Sequence, residues 1–234
     1  MEQLALPGLT PSDAARFEDF WPGPNENVLA AIKRLAEGES EPVAFVHGPE
    51  ASGKTHLLKA AWRRAREQGR RAGYLPLDEA AMLDPQLVEG WGELDVVALD
   101  AVEKIAAFGL WERALFRIAE ELRERGATLL VAGRAPPDAL GLELPDLASR
   151  LAWGPVYALQ PLDDAQLGEL AIHLARARGL DLPQNAADWL VKRLTRDTRS
   201  VARAIERLDH AALAAQRRLT VPFLRDVLTA NSIL

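Results

Sequence analysis

Residues 48–55 have the types and spacing of a loop that binds phosphate. Their sequence, GPEASGKT, fits the pattern G-x-x-x-x-G-K-[ST]. The two glycines of this pattern let the backbone turn tightly and approach a ligand, and the N–H groups of the loop then point at phosphate oxygens. Lys54 would neutralise charge on the β- or γ-phosphate, and Thr55 would bind Mg²⁺. The alternative interpretation is a glycine-rich surface turn ahead of an ordinary helix.

The segments on either side of this loop are those that a P-loop requires. The apolar, β-rich residues 43–47 predict a buried strand, and residues 54–67, which contain neither Gly nor Pro, predict a helix. Strand, glycine turn and helix is the P-loop arrangement. We therefore expect a nucleotide phosphate site formed by Gly48, Pro49, Ala51, Ser52, Gly53, Lys54, Thr55 and His56.

The predicted elements change in kind near residue 160. Earlier residues alternate between strands and helices, with strands expected at 43–47, 72–77, 94–100, 128–133 and 156–159. Later residues predict four helices, at 163–178, 185–196, 198–217 and 221–229. An α/β parallel-sheet P-loop domain followed by a small all-α lid domain is AAA+ architecture. We expect an N-terminal tail at 1–10, the AAA+ nucleotide-binding domain at 11–160 and the lid at 161–234.

A second part of the Mg²⁺ site is predicted at the end of the third strand. Residues 94–100 end in Asp100, the Walker B form in which an Asp holds the Mg²⁺ shell beside the P-loop Thr. AAA+ ATPases usually place a second carboxylate next, to orient the attacking water. Ala101 occupies that position here, and Glu103, two residues further on, need not face the same way.

Composition limits the class of protein and its partners. Apolar residues make up 48% and charged residues 26% of the 234 residues, which is ordinary for a globular protein, and the absence of Cys excludes disulfides. We find no signal peptide and no membrane span, so the cytoplasm is the expected location. The net charge of -6 argues against a broad electrostatic grip on nucleic acid. The arginines at 63, 64, 66, 70 and 71 are interpreted as a solvated face, with nucleic-acid binding as the alternative.

Three features leave alternatives open. The tail carries leucines among prolines, so it either folds back on its own domain or inserts these leucines into a pocket of another protein. The aromatic segment 17–25 either covers a nucleotide base or anchors the N-terminal arm, and Asn25 is a candidate cap for the helix at 28–37. Arg199 in the lid either solvates a helix or reaches the nucleotide phosphates.

Several segments together resemble the DnaA-related AAA+ family, and more closely the Hda group of DnaA regulatory inactivators. They lie at residues 3–7, 17–25, 48–55, 144–154 and 213–223 and span nearly the whole chain. The resemblance implies a regulator of replication initiation that binds the sliding clamp of DNA polymerase III, its β subunit, and stimulates hydrolysis of DnaA-bound ATP. Contact with DNA would be indirect, through the clamp, and no membrane is involved; formation of a homodimer is left open.

The resemblance also assigns partner-binding residues. Gln3, Leu4, Leu6 and Pro7 would dock on the clamp. Burying two leucines gains about 1.5–3 kcal/mol each before the cost of ordering the tail, which favours a reversible tether. Arg150 matches the arginine finger of the family, which acts on the nucleotide of a partner.

Nucleotide-contacting residues follow from the same resemblance. Phe20, Gly23 and Asn25 match an N-terminal box near the adenine, and Arg199 matches the sensor arginine of the lid. The expected cofactors are ADP or ATP with Mg²⁺.

Two departures from an active ATPase favour ADP and weak or absent intrinsic hydrolysis. Ala101 lacks the second Walker B acid, and Arg134 stands where related proteins usually carry a sensor Asp or Asn. An autonomous DnaA-like ATPase or helicase loader is the alternative, and it would turn over ATP steadily. A small-molecule P-loop kinase is a third interpretation, but it leaves the lid and the tail motif unexplained.

Overall fold

The chain folds into two compact units. The computed structural model describes residues 15–39, 42–80, 83–215 and 219–229. Of the described residues, an α/β unit includes those up to Phe20 and those within Asn25–Leu159, and a helical unit includes Trp21–Pro24 and those from Gln160 onward. Among the described residues, no helix combines the length and the apolar character needed to cross a bilayer.

A five-stranded parallel sheet lies at the centre of the α/β unit, in the order β2-β3-β4-β1-β5. Its strands are β1 (Val43–His47), β2 (Ala72–Pro76), β3 (Val96–Asp100), β4 (Thr128–Gly133) and β5 (Val156–Ala158). β1, β3 and β4 are almost continuously apolar because helices cover both faces of a parallel sheet. The second strand ends one residue earlier than predicted, since Leu77 begins a helix.

Helices pack on both faces of this sheet. They are α1 (Glu26–Glu37), α2 (Lys54–Glu67), α3 (Leu77–Ala80), α4 (Gly109–Glu124) and α5 (Pro145–Leu151). Because side chains alternate along a strand, Val46 of β1 packs with the buried side of α1 and α2, whereas Phe45 packs in the cluster that includes α4 and α5. The sheet is thus held between two apolar layers.

The helical unit is made of α6 (Asp164–Ala177), α7 (Gln184–Val191), α8 (Thr198–Ala215) and α9 (Val221–Thr229). The first helix begins with a capping box, in which the Asp163 carboxylate accepts from the Gln166 backbone N–H and the Gln166 side-chain oxygen accepts from the Asp163 backbone N–H. Leucine, valine and alanine side chains fill the core of this unit. α7 ends at Val191, five residues short of the predicted end at 196, because the chain turns before α8.

The basic residues after the P-loop helix are not a uniformly solvated face. Arg70 is partly buried and donates to the backbone oxygens of Ala36 and Asp95 and to the Thr128 hydroxyl, at 2.8, 3.2 and 2.9 Å. It therefore joins the end of α1 to the starts of β3 and β4. Arg63 pairs with Glu67 on the same helix. These contacts correct the expectation of a solvated face for Arg70 and give the arginine a structural role.

Candidate nucleotide-binding site

The loop between β1 and α2 has no room for side chains at its two motif glycines. A Cβ at Gly48 would lie 2.8 Å from the Leu159 carbonyl oxygen, and a Cβ at Gly53 would lie 2.7 Å from the Phe20 ring. Gly53 also has a φ of 101° at the residue that precedes α2, a conformation that L side chains rarely adopt. Ala51 has a left-handed φ of 55°. The loop is therefore curled tightly between the strand and the helix, as a P-loop requires.

Lys54, the first residue of α2, is folded back on the loop. Its Nζ donates to the carbonyl oxygens of Gly48 and Pro49 at 2.8 and 2.7 Å. A phosphate oxygen carries formal negative charge and is a stronger acceptor for an ammonium group than either carbonyl. The ammonium group is thus already held within the loop, where a bound phosphate would compete for it.

Ser52 supplies an independent indication that the loop accepts a polar ligand. Its side chain is 8% exposed, and its Oγ has no hydrogen-bond partner among the described residues. A buried hydroxyl without a partner costs about 1–3 kcal/mol, so native structures rarely leave one. A phosphate oxygen in the loop would accept this bond. The residues present therefore fit a nucleotide phosphate.

Thr55 and Asp100, which the sequence predicts as Mg²⁺ ligands, are in contact with each other. The Thr55 side chain is hydrogen-bonded to the Asp100 carboxylate, which is buried at the end of β3. Burial raises the pKa of Asp100, and the hydrogen bonds from Thr55 and Tyr74 oppose that rise. A hydroxyl and a carboxylate are hard oxygen ligands of the type that Mg²⁺ prefers, and with nucleotide phosphates they would hold the ion.

Tyr74 on the neighbouring strand β2 also contacts Asp100, a contact that sequence reasoning missed. Its hydroxyl donates to Asp100 Oδ2 at 3.0 Å. Burial, followed by the nearby Asp100 charge, raises the pKa of Tyr74, so the phenol remains a donor. The register pairs Pro76 with Asp100, and Tyr74, two residues before Pro76, therefore lies on the same face of the sheet as Asp100. Only the strand order, which the sequence pattern did not provide, brings them together.

The arm before α1 packs against the start of α2. The ring of Phe20 lies against Gly53, and its centroid is 5.7 Å from that of His56. The His56 ring Nε2 is 2.7 Å from the Arg16 carbonyl oxygen, and burial lowers the pKa of His56, which favours the neutral ring. Phe17 is buried in the α/β core. The aromatic segment therefore anchors the arm, and it also places Phe20 beside the P-loop.

Gly23 and Asn25 occupy special backbone positions in the same segment. Gly23 has a φ of 46°, and a side chain there would collide with the ring of Trp21. Asn25 is buried at the position before α1, but its side chain makes no capping hydrogen bond, so the predicted cap role is wrong. Their proposed proximity to adenine stays a prediction.

The two residues that depart from an active ATPase lie at the ends of β3 and β4. Ala101 follows Asp100 with a left-handed φ of 59°. Glu103 accepts a hydrogen bond from the backbone N–H of Arg134 at 3.2 Å, which ties its carboxylate to the end of β4. Glu103, the first acidic residue after Asp100, is therefore engaged with the backbone. The two positions that depart from an active ATPase carry the methyl group of Ala101 and the guanidinium group of Arg134.

Arg150 lies near the end of α5, and Arg199 lies at the second residue of α8 in the helical unit. The Arg150 Nε donates to Glu120, and the guanidinium carbon lies 5.4 Å from the ring centroid of Phe116 and 4.2 Å from that of Trp153. Arg199 is exposed. Gln3, Leu4, Leu6 and Pro7, the predicted clamp-binding residues, fall outside the described residues.

Solved structures of DnaA share this fold. The α/β unit and the lid match the crystal structure of domain III of the replication initiation protein DnaA from Thermotoga maritima, with a TM-score of 0.76 and 21% identity over 95% of this chain and 98% of that one. AMPPCP-bound DnaA from Aquifex aeolicus matches with a TM-score of 0.72 and 24% identity, over 85% of this chain and 65% of that chain.

A branch-migration motor has the same fold. Thermotoga maritima RuvB matches with a TM-score of 0.66 and 15% identity, over 92% of this chain and 73% of that one. The fold class predicted from the sequence is therefore confirmed: the chain has the AAA+ fold, with a parallel P-loop sheet and a helical lid.

The lid narrows this class further. Residues 159–228 match the family model described as the Hda lid domain. This match covers the lid alone, and the chain as a whole has the fold of DnaA domain III.

Proposed function

We propose that this chain is a regulator of replication initiation that holds an adenine nucleotide, ADP in particular, and stimulates hydrolysis of ATP bound to DnaA. Arg150 would act in trans on the ATP of DnaA, and the N-terminal tail would tether the protein to the sliding clamp. The observation that carries the proposal is the combination of an Hda lid match with an arginine, on the α/β unit, whose terminal nitrogens have no hydrogen-bond partner among the described residues.

The side chains of the P-loop support the binding of a nucleotide. Ser52 and Lys54 offer a hydroxyl and an ammonium group to phosphate, and Thr55 with Asp100 would hold Mg²⁺. Ala101 removes the carboxylate that would orient an attacking water. The residues that would bind the nucleotide are thus present, whereas a carboxylate needed for its hydrolysis is missing. We therefore propose that the bound nucleotide sets the conformation of the protein.

Arg150 is suited to a role outside its own nucleotide site. Its side chain is 27% exposed and lies on α5, beside α4. A guanidinium group has five N–H donors in a fixed plane, which matches the oxygens of a transferring phosphoryl group. Supplied in trans, such a group accelerates hydrolysis about 10³–10⁵-fold.

The tail would bring this arginine to its substrate. By the resemblance, Gln3, Leu4, Leu6 and Pro7 dock on the clamp, a ring loaded on DNA. Two tails on a two-fold ring would raise retention through avidity, without any contact between this chain and DNA.

Purified DnaA loaded with ATP tests the proposal when it is mixed with clamp on DNA and each variant of this protein. We expect the wild type to stimulate hydrolysis and Arg150→Ala to lose the stimulation while it still binds nucleotide and clamp. Arg196→Ala is the matched control, because it removes an arginine whose side chain is 72% exposed in the helical unit. Full stimulation by Arg150→Ala would reject the finger assignment.

An autonomous ATPase or helicase loader is the second candidate. Its support is that Lys54, Thr55 and Asp100 are all present. It requires steady ATP turnover by this protein alone, and that turnover would have to fall when Lys54 is changed to Ala.

A further inference from the structure

Three side chains surround the guanidinium group of Arg150, and we call them the Arg150 cradle: Phe116 and Glu120 of α4, and Trp153 after α5. Glu120 accepts a hydrogen bond from Arg150 Nε, and the two side chains are 31% and 27% exposed. The rings of Phe116 and Trp153 lie 5.4 and 4.2 Å from the guanidinium carbon. The cradle therefore restrains Arg150 by one hydrogen bond and two ring contacts.

We propose that Glu120 is a positioning residue for Arg150: it holds the guanidinium through Nε and leaves the two terminal nitrogens directed to a phosphoryl group of the partner. Among the described residues, Nη1 and Nη2 of Arg150 have no hydrogen-bond partner. The edge of the guanidinium group that carries Nη1 and Nη2 can make paired contacts with phosphate oxygens. This inference rests on the proposed function of Arg150.

The Arg150 cradle would reduce the side-chain entropy that is lost when the guanidinium group binds a ligand. A free arginine side chain carries about 2 kcal/mol of rotamer entropy, which is lost when its head group is fixed on a ligand. A side chain fixed beforehand loses less on binding, and misplacement of a reacting group by about 1 Å can cost 10²-fold in rate. Stacking on aromatic rings restrains the plane of the group, and the Nε bond restrains its rotation within that plane.

The start of α5 is fixed by the same helix that supplies Glu120. Glu112 of α4 accepts hydrogen bonds from the backbone N–H groups of Glu143 and Leu144, at 3.1 and 2.7 Å. The guanidinium carbon of Arg123, also on α4, lies 4.0 Å from the centroid of the Trp153 ring. One helix thus sets the position of the backbone that bears Arg150 and the orientation of its side chain.

Order of the Arg150 side chain in the protein alone gives the first test. The ¹⁵N relaxation of its Nε–Hε group, assigned by its loss in Arg150→Ala, should show a restrained group in the wild type. Glu120→Ala should make this group mobile. Glu120→Gln, which keeps a carbonyl oxygen as acceptor, should keep it restrained. A mobile Nε–Hε group in the wild type, or one equally restrained in Glu120→Ala, would overturn the cradle.

Stimulation of DnaA gives the second test. At saturating concentration, Glu120→Ala should lower the stimulated hydrolysis rate about 10- to 100-fold, while the concentration that gives half-maximal stimulation stays within about 3-fold. Glu120→Gln should recover most of the rate. An unchanged or increased rate in Glu120→Ala would refute positioning, and an increase would indicate that Glu120 instead withholds the arginine.

The two tests separate the failure of this inference from the failure of the proposed function. If Arg150→Ala stimulates fully, the finger assignment fails whatever Glu120 does. If Arg150→Ala is inactive and Glu120→Ala has the wild-type rate, only the positioning role fails. Melting temperatures of both variants within a few degrees of the wild type confirm that folding is not the cause.

Discussion

Substitution of Glu112 tests how α4 holds the segment that leads to Arg150. The residue is 1% exposed, and its carboxylate accepts hydrogen bonds from the backbone N–H groups of Ala107, Glu143 and Leu144, at 3.0, 3.1 and 2.7 Å. Glu112→Ala would leave three partly buried donors without this partner, at about 1–3 kcal/mol each where water does not replace it. Entry of water and relief of the buried charge offset part of this, so we expect a loss of about 3–5 kcal/mol.

Thermal unfolding followed by circular dichroism measures this loss. At about 2–4 °C per kcal/mol for a chain of this size, Glu112→Ala should melt roughly 6–20 °C below the wild type. Glu112→Gln is the informative control, because its amide keeps one acceptor oxygen but turns a donor toward one N–H group, so its loss should be about half. A melting temperature for Glu112→Ala within about 2 °C of the wild type would refute this account of the α4–α5 connection.

Three other outcomes are expected. Changing Gln3 and Leu4 to Ala should abolish retention on clamp-loaded DNA without lowering the melting temperature, and unchanged retention would reject the tether. ADP at 100 times its Kd should stabilise the protein by about 2.7 kcal/mol, and at least as much as ATP does; a large preference for ATP would count against the ADP-bound state. Because burial lowers the pKa of His56, the unfolded chain binds its proton more readily, so stability should fall as the pH drops below about 6.5. His56→Gln should flatten that slope between pH 7 and 5, and equal slopes would show that His56 contributes nothing to it.

Much of the α/β unit could be predicted because its signals are local. The P-loop helix has the predicted bounds, Lys54–Glu67, since its glycine turn and its run without Gly or Pro lie within one continuous segment. The fold class followed from the alternation of elements and from the change to helices near residue 160. Gly48 and Gly53 were expected to permit close approach, and the structure gives the groups that approach them, Leu159 and Phe20.

The contacts that could not be predicted join residues far apart in the sequence. The sequence pattern groups Arg70 with four other arginines as a solvated face, but its partners lie at the end of α1 and at the starts of β3 and β4, and only the sheet order brings them together. Tyr74 reaches Asp100 for the same reason. Glu120 is a residue type that is typical of exposed helix positions, and nothing in its local sequence shows that α5 places Arg150 against it. Asn25 shows the opposite error, because a residue type typical of caps does not cap α1 here.

The central claim is that this protein acts on the nucleotide of DnaA rather than on its own. One experiment addresses it most directly: release of phosphate from ATP measured for DnaA alone, for this protein alone, and for the two together with clamp on DNA, each with wild type and Arg150→Ala. We expect little turnover by this protein alone, a large increase in the mixture with wild type, and no increase with Arg150→Ala. Steady turnover by this protein alone, with no effect on the ATP bound to DnaA, would contradict it.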